Sequence, residues 1–257
     1  MRETDLLQTK SYRILRERLE EAVDEGINSV VYGPPSSEKS FLLERLCAQF
    51  REKGRPVIYA YCGAECTEGH LYRTIAKAAG IRVQSSFRWA ARHAVLNDLL
   101  ARPELPAIVL DEAQHMDVNA LEGIRQIHDM TARSERRGCG IILAGSHSLL
   151  QFFLAPRRRA MLEQTLSRFG HRVQLEGMQR DEILTLAARA WGNGRAIVLS
   201  VQQKRILLEE CEVDDPYYVD KSGKSSPRKY YSCRRLLEFI RQQKKSLRPV
   251  SNVAPEA

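Results

Sequence analysis

Two short strings carry residue types that could do chemistry together. The first is GPPSSEKS, Gly33 to Ser40, set between the apolar Val30-Val31-Tyr32 and a helix-forming run that begins at Lys39. A phosphate-binding loop reads glycine, four residues, glycine, lysine, then serine or threonine. Gly33, Lys39 and Ser40 fit that spacing, while Glu38 stands where the second glycine belongs. Backbone N–H groups of such a turn, with the positive end of the following helix, face phosphate oxygens. Gly33, Pro34, Pro35, Ser36, Ser37, Glu38, Lys39 and Ser40 are therefore the candidate nucleotide loop. Lys39 would reach the outer phosphates and the Ser40 hydroxyl would bind Mg²⁺. The second string is AIVLDEAQH, an unbroken apolar run ending in Asp111 and Glu112. An acid there can hold the Mg²⁺ shell, and the next can orient and deprotonate a water against a γ-phosphate. The expected cofactors are ATP and Mg²⁺.

Glu38 is the main departure, because glycine at that point lets the backbone take a positive φ and approach the phosphates. A glutamate is strained in that conformation, and its carboxylate has to swing away from the ligand. Ser36 and Ser37 offer hydroxyl donors in partial compensation. The loop is read as altered and still able to bind nucleotide.

The elements needed to position these residues are legible around them. Residues 10–25 place Ile14, Leu15, Leu19, Ala22 and Val23 on one helical face. GRPVIYAYC, AIVLDE, CGIILAGS and HRVQLEG read as further strands. Helices are expected around 67–79, 86–101, 119–137 (with Asn119 and Glu122 as a capping box), 147–154 and 158–168. Strands that are apolar throughout and alternate with helices predict a parallel sheet covered on both faces. From about Gln179 the pattern turns to helices only, at 180–191, 200–211 and 231–245, with 212–230 as a loop. The fold class expected is α/β, an α/β nucleotide-binding core over 1–178, a small all-helical domain over 179–246 and a flexible tail over 247–257.

A formal charge of +8 favours a polyanionic partner. Arg73, Lys77, Arg82, Arg88, Arg92 and Arg102, with Phe87 and Trp89 among them, form one basic stretch. A second runs from Lys221 to Arg248, with Glu238 as its one acid. Phosphate contacts from such stretches give affinity without sequence reading. The first ten residues, MRETDLLQTK, lack the apolar segment of a secretory signal, and no run approaches the ~18 apolar residues of a membrane helix. A cytoplasmic protein with reduced thiols and no membrane partner is expected. Cys62, Cys66 and His70 are three residues where zinc takes four, and are read as ordinary side chains.

The strand–loop–helix, the DEAQH acids and the helical tail together resemble the AAA+ ATPases, most of all the group of the transposition regulators MuB, TnsC and IstB and the related secretion ATPase ExeA. The resemblance covers residues 1–246. It implies a five-stranded parallel sheet followed by a helical lid. It also implies that Ser146 (with His147 as a rival) senses the γ-phosphate, that Arg168 is an arginine finger for a neighbouring subunit, and that Arg234 or Arg235 is the lid's nucleotide sensor. Relatives that encircle DNA line the pore with a helical insertion, which here maps to Arg73, Lys77, Arg82, Arg88 and Arg92. The function so implied is an ATP-dependent regulator of DNA transposition. It would bind duplex DNA as a ring or filament of itself and recruit a transposase, with a target-selection adaptor as a further partner. The alternatives are an ExeA-like ATPase that assembles a protein complex, and a nucleotide switch that does not hydrolyse.

Overall fold

The computed structural model describes residues 9–35, 37–85, 87–132, 137–191, 198–216, 218 and 228–246, with backbone alone at 88, 156–161 and 243–246. They form two compact units, one of Lys10–Glu176 and one from Gly177 onward.

The larger unit runs α1 (Lys10–Glu25), β1 (Asn28–Tyr32), α2 (Lys39–Glu52), β2 (Val57–Tyr61), α3 (Glu68–Ala79), α4 (Arg88–Ala101), β3 (Ala107–Asp111), a 3₁₀ turn (Ala113–His115), α5 (Val118–Thr131), β4 (Ile141–Gly145), α6 (His147–Leu154), α7 (Pro156–Ser167) and β5 (Phe169–Gln174). The five strands pair in the order β2-β3-β4-β1-β5, all parallel. β1, β3 and β4 are buried at every residue, which is why their sequences are apolar without alternation. β5 lies at the sheet edge and mixes buried, half-buried and exposed residues, so its sequence FGHRVQ is the most polar of the five. One core cluster gathers Val30, Ile58, Ile108, Leu110, Ile141 and Leu143 from one face of the sheet with Leu71 and Ile124 of the helices.

The helix after β3 differs from the expectation at both ends. Its cap is Asp117, not Asn119, and the Asp117 carboxylate accepts from Ala120 N–H at 2.7 Å. An aspartate just before the first helical residue satisfies that donor directly. The helix stops at Thr131, whose hydroxyl bonds back to Ile127 C=O at 2.7 Å and accepts from Cys139 N–H at 2.9 Å.

The smaller unit holds α8 (Arg180–Trp191), α9 (Val201–Cys211), β6 (Glu212–Asp215), β7 (Arg228–Tyr231) and α10 (Cys233–Ser246). The three expected helices are present. The stretch expected as loop instead starts and ends in a two-stranded antiparallel ribbon, Glu212 opposite Tyr231 and Asp215 opposite Arg228. Charged residues in EVDD and RKYY hid the strands, although Tyr230, pointing inward at 2% exposure, anchors the ribbon. Lys221, Lys224, Arg248 and the tail 247–257 lie outside the described residues.

Candidate nucleotide-binding site

β3, β4 and β1 are neighbours and parallel, so their carboxyl ends lie side by side on one edge of the sheet. Asp111-Glu112, Ser146 and Gly33 stand at or just past those three ends. Open α/β sheets bind ligands at that edge, where strand order reverses. The order achieves what the sequence separation hides: residues 35 (Asp111 and Ser146) and 113 (Gly33 and Ser146) positions apart stand on adjacent strand ends.

The loop closes around Lys39. Gly33 N–H donates to Gly145 C=O at 3.2 Å, joining the loop to the end of β4. A Cβ on Gly33 would come within 2.7 Å of Leu175 C=O, so no other residue fits there without a shift. The Lys39 ammonium is buried and donates to Pro34 C=O at 2.8 Å, Gly33 C=O at 3.1 Å and the Ser37 hydroxyl at 3.0 Å. Ser37 in turn donates to Pro34 C=O at 2.8 Å. Glu38 takes the left-handed conformation, φ 58°, ψ 17°, directly before the first residue of α2. It has adopted the glycine's backbone shape without the glycine. Pro34 and Pro35 remove two N–H donors, leaving the donors to the residues after them and to the first turn of α2, whose N–H groups have no partner inside the helix. Ser40 is half-buried, and its hydroxyl makes no hydrogen bond among the described residues. Ser36 lies outside the described residues.

Asp111 is fully buried. Its Oδ2 accepts from the Tyr59 hydroxyl at 2.8 Å and its Oδ1 from Glu112 N–H at 2.9 Å. Tyr59 comes from β2, the strand beside β3. Burial and the Asp111 charge both push its phenol well above the usual value, so it stays a donor. Burial also pushes the Cys47 thiol up to about 12, opposed by Arg51 and reinforced by Asp111. Glu112 is left-handed as well, φ 54°, ψ 37°. Backbone strain of this kind collects at functional sites. Its Oε2 accepts from Gln114 Nε2, and Gln114 Oε1 accepts from Ser146 N–H at 3.1 Å. A Cβ on Gly145 would lie 2.4 Å from that amide oxygen, so the glycine at the end of β4 admits the glutamine. His147 is buried, its ring edge-on to Tyr32 at the end of β1 with centroids 5.9 Å apart. Tyr59 and Gln114 were not singled out from sequence. The one available signal was Gln114, a polar residue two positions past an acid.

Arg168 ends α7 and pairs with Asp129 of α5, Nε to Oδ1 at 2.9 Å. Asp129 also takes Arg125, which holds Glu122 in turn. Arg234 and Arg235 stand in the first turn of α10, both exposed; the Arg235 guanidinium donates to Glu212 C=O, while Arg234 makes no side-chain bond among the described residues.

Of the basic stretch, Arg73 and Lys77 are exposed on α3 and Arg82 in the loop after it. Arg92 faces Glu68 at 3.6 Å and Arg102 bonds Asp98 at 2.7 Å. The Arg88 side chain lies outside the described residues. Cys62 and Cys66 are buried, and a hydrogen bond between the two thiols holds Cys66 below its usual value and drives Cys62 above it. Their loop is laced to the end of β3 and the turn after it, with Cys62 N–H on Asp111 C=O at 2.9 Å and Cys66 N–H on His115 C=O at 2.9 Å.

The set fits a magnesium nucleotide. A buried ammonium sits in the loop, a helix N-terminus follows it, a half-buried hydroxyl comes next, and a fully buried carboxylate ends β3. No described helix is long and apolar enough to cross a membrane.

The family model described as an AAA domain matches residues 23–153, half of the chain. No curated protein matches. Among solved structures, the fold is similar to the Aeropyrum pernix ORC2 protein in its ADP form, at 18% identity over 78% of this chain and 56% of that one, TM-score 0.57. It is similar to the Aeropyrum pernix ORC1 protein in complex with DNA, at 20% identity over 67% and 46%, TM-score 0.50. A RuvB mutant of Thermotoga maritima aligns at 12% identity over 92% and 63%, TM-score 0.50. The chain spans about half the length of the first of these. The matched segment includes the loop, both acids and the end of β4, and on that match the chain belongs to the AAA domain family of P-loop nucleotide-binding proteins.

Proposed function

We propose that the chain is a Mg–ATP-dependent AAA+ ATPase that acts on DNA as an assembly of its own copies. The observation that carries the proposal is the placement of Lys39, Asp111 and Glu112 at the carboxyl ends of β1 and β3, the two strands that flank β4, with a basic helical pair inserted between β2 and β3. Lys39 would exchange its loop carbonyls for outer phosphate oxygens, and Ser40 and Asp111 would hold the metal. Bound Mg²⁺ neutralises phosphate charge. Glu112, aimed by Gln114, accepts the proton of the attacking water. Arg168 leaves Asp129 to serve the site of a neighbouring copy, and Arg234 or Arg235 acts as a nucleotide sensor. Arg73, Lys77, Arg82, Arg88 and Arg92 meet DNA phosphates. The likeness to an ORC1 protein solved with DNA supports this direction.

A narrower version, a transposition regulator that recruits a transposase, rests on the sequence resemblance alone. A second reading is an ATPase that assembles a protein complex. It is favoured by the ion pairs of Arg92 and Arg102, which leave the insertion less charged than its sequence suggests. ATP turnover with and without duplex DNA, beside negative-stain images with a non-hydrolysable analogue, separates the two. The DNA reading expects stimulation by duplex and rings or filaments that need both DNA and analogue. Turnover and assembly indifferent to DNA would promote the second reading.

A further inference from the structure

Phe87 and Trp89 are among the most exposed large apolar side chains described, at 66% and 61%. Their rings are nearly parallel, tilted by 9° with centroids 6.2 Å apart, and His93 stands edge-on to Trp89 at 5.7 Å. The inward face of α4 is already filled by Ala91, Val95 and Leu99, so the aromatic pair is surplus to the core. An aromatic side chain brings 150–250 Å² of apolar surface, roughly, that folding would otherwise bury. Keeping two of them outside forfeits that gain unless something else covers them.

Beside the Arg92–Glu68 and Arg102–Asp98 pairs, the neighbouring elements expose further cations. Arg82 is exposed in the preceding loop, and α3, packed on α4, exposes Arg73 and Lys77. A concave site of about 260 Å³ lies at the start of α3, lined by Gly63, His70, Arg73, Thr74 and Lys77. Such a face repels a second copy of itself and suits a polyanion. Within an intact duplex the bases cover each other's faces, so flat rings have nothing to stack on. Unpaired bases do offer a face.

We propose that Phe87 and Trp89 form a stacking platform for the unpaired bases of single-stranded or locally opened DNA, with Arg73, Lys77 and Arg82 holding the phosphates of the same strand. The inference rests on the DNA reading above and adds base contact to phosphate contact.

The test uses the full chain with a non-hydrolysable ATP analogue and Mg²⁺, and labelled 40-mers as duplex, duplex with a six-nucleotide bubble, single strand, abasic strand and matched RNA. The bubble and single strand should bind about tenfold tighter than the abasic strand, and base stacking on an aromatic is worth that much or more. Trp89→Ala and Phe87→Ala should each remove the preference while leaving duplex and abasic affinity unchanged. Trp89→Phe should keep most of it. In a Trp191→Phe background, Trp89 fluorescence should quench with single strand and not with abasic strand. Equal affinity for base-bearing and abasic strands, in a protein that still binds duplex, overturns the platform and leaves the DNA reading standing. Tighter binding of RNA overturns the assignment to DNA. A change in oligomeric state on Trp89→Ala without DNA, with strand preference intact, assigns the rings to contact between copies. Failure on every DNA sinks both readings.

Discussion

Gln114 ties Glu112 to the end of β4: its amide N–H donates to the Glu112 carboxylate while its carbonyl accepts from Ser146 N–H at 3.1 Å. The bond links two strand ends and fixes one carboxylate oxygen of the proposed base. Gln114→Ala should lower kcat for ATP by about tenfold or more with KM little changed, because the loss falls on alignment of the base and not on ground-state binding. Steady-state kinetics checks it. A rise in KM at unchanged kcat would mean that Gln114 serves binding.

Glu38 sits at φ 58°. A residue with a Cβ in that conformation costs roughly 1–2 kcal/mol, and glycine's greater freedom when unfolded offsets roughly 0.5–1 of that. Glu38→Gly should stabilise the chain by about 0.5–1 kcal/mol in urea denaturation, with ATP turnover equal or higher. A large loss of turnover would show that the carboxylate itself has a role.

Glu122 is held below the ordinary carboxylate range by its hydrogen bond to Arg125. Burial raises Asp129, but Arg168 and Arg125 more than offset it, so its value too is depressed. Carboxylates depressed on folding contribute stability above the unfolded pKa, about 4, and lose it as pH falls through the folded value. The melting temperature should therefore drop from about pH 4 downward. Asp129→Asn should flatten that slope while costing little at pH 7, as expected for a half-buried pair at the surface.

Arg168 is proposed to act on a neighbouring copy. Arg168→Ala should abolish turnover and leave nucleotide binding by the single copy intact; an arginine supplied in trans is worth ~10³ or more in other nucleotidases. Mixing Arg168→Ala with Lys39→Ala protein should restore part of the turnover, since some interfaces then pair an intact loop with an intact arginine. A mixture no more active than its components would count against the trans role.

β1, β3 and β4 were readable because burial on both faces leaves unbroken apolar runs, and the loop because Gly33, Lys39 and Ser40 keep motif spacing. Strand order was not read from the residues: β1 between β4 and β5 depends on packing that no local pattern encodes. Tyr59 and Gln114 escaped because their roles come from neighbouring strand ends, which sequence distance conceals. The β6–β7 ribbon escaped because solvated strands carry charges and imitate a loop.

The central claim is that the loop binds Mg–ATP although Glu38 replaces its glycine. Calorimetric titration of Mg–ATP into the wild type and into Lys39→Ala tests it most directly. The structure places the buried Lys39 ammonium on Gly33, Pro34 and Ser37, acceptors that phosphate oxygens would replace. Saturable binding at or below millimolar ATP is expected, weakened about tenfold or more by Lys39→Ala, since a charge-assisted bond contributes ~1.5–3 kcal/mol. No heat of binding in the wild type at millimolar ATP, or equal affinity in the two proteins, would contradict the account.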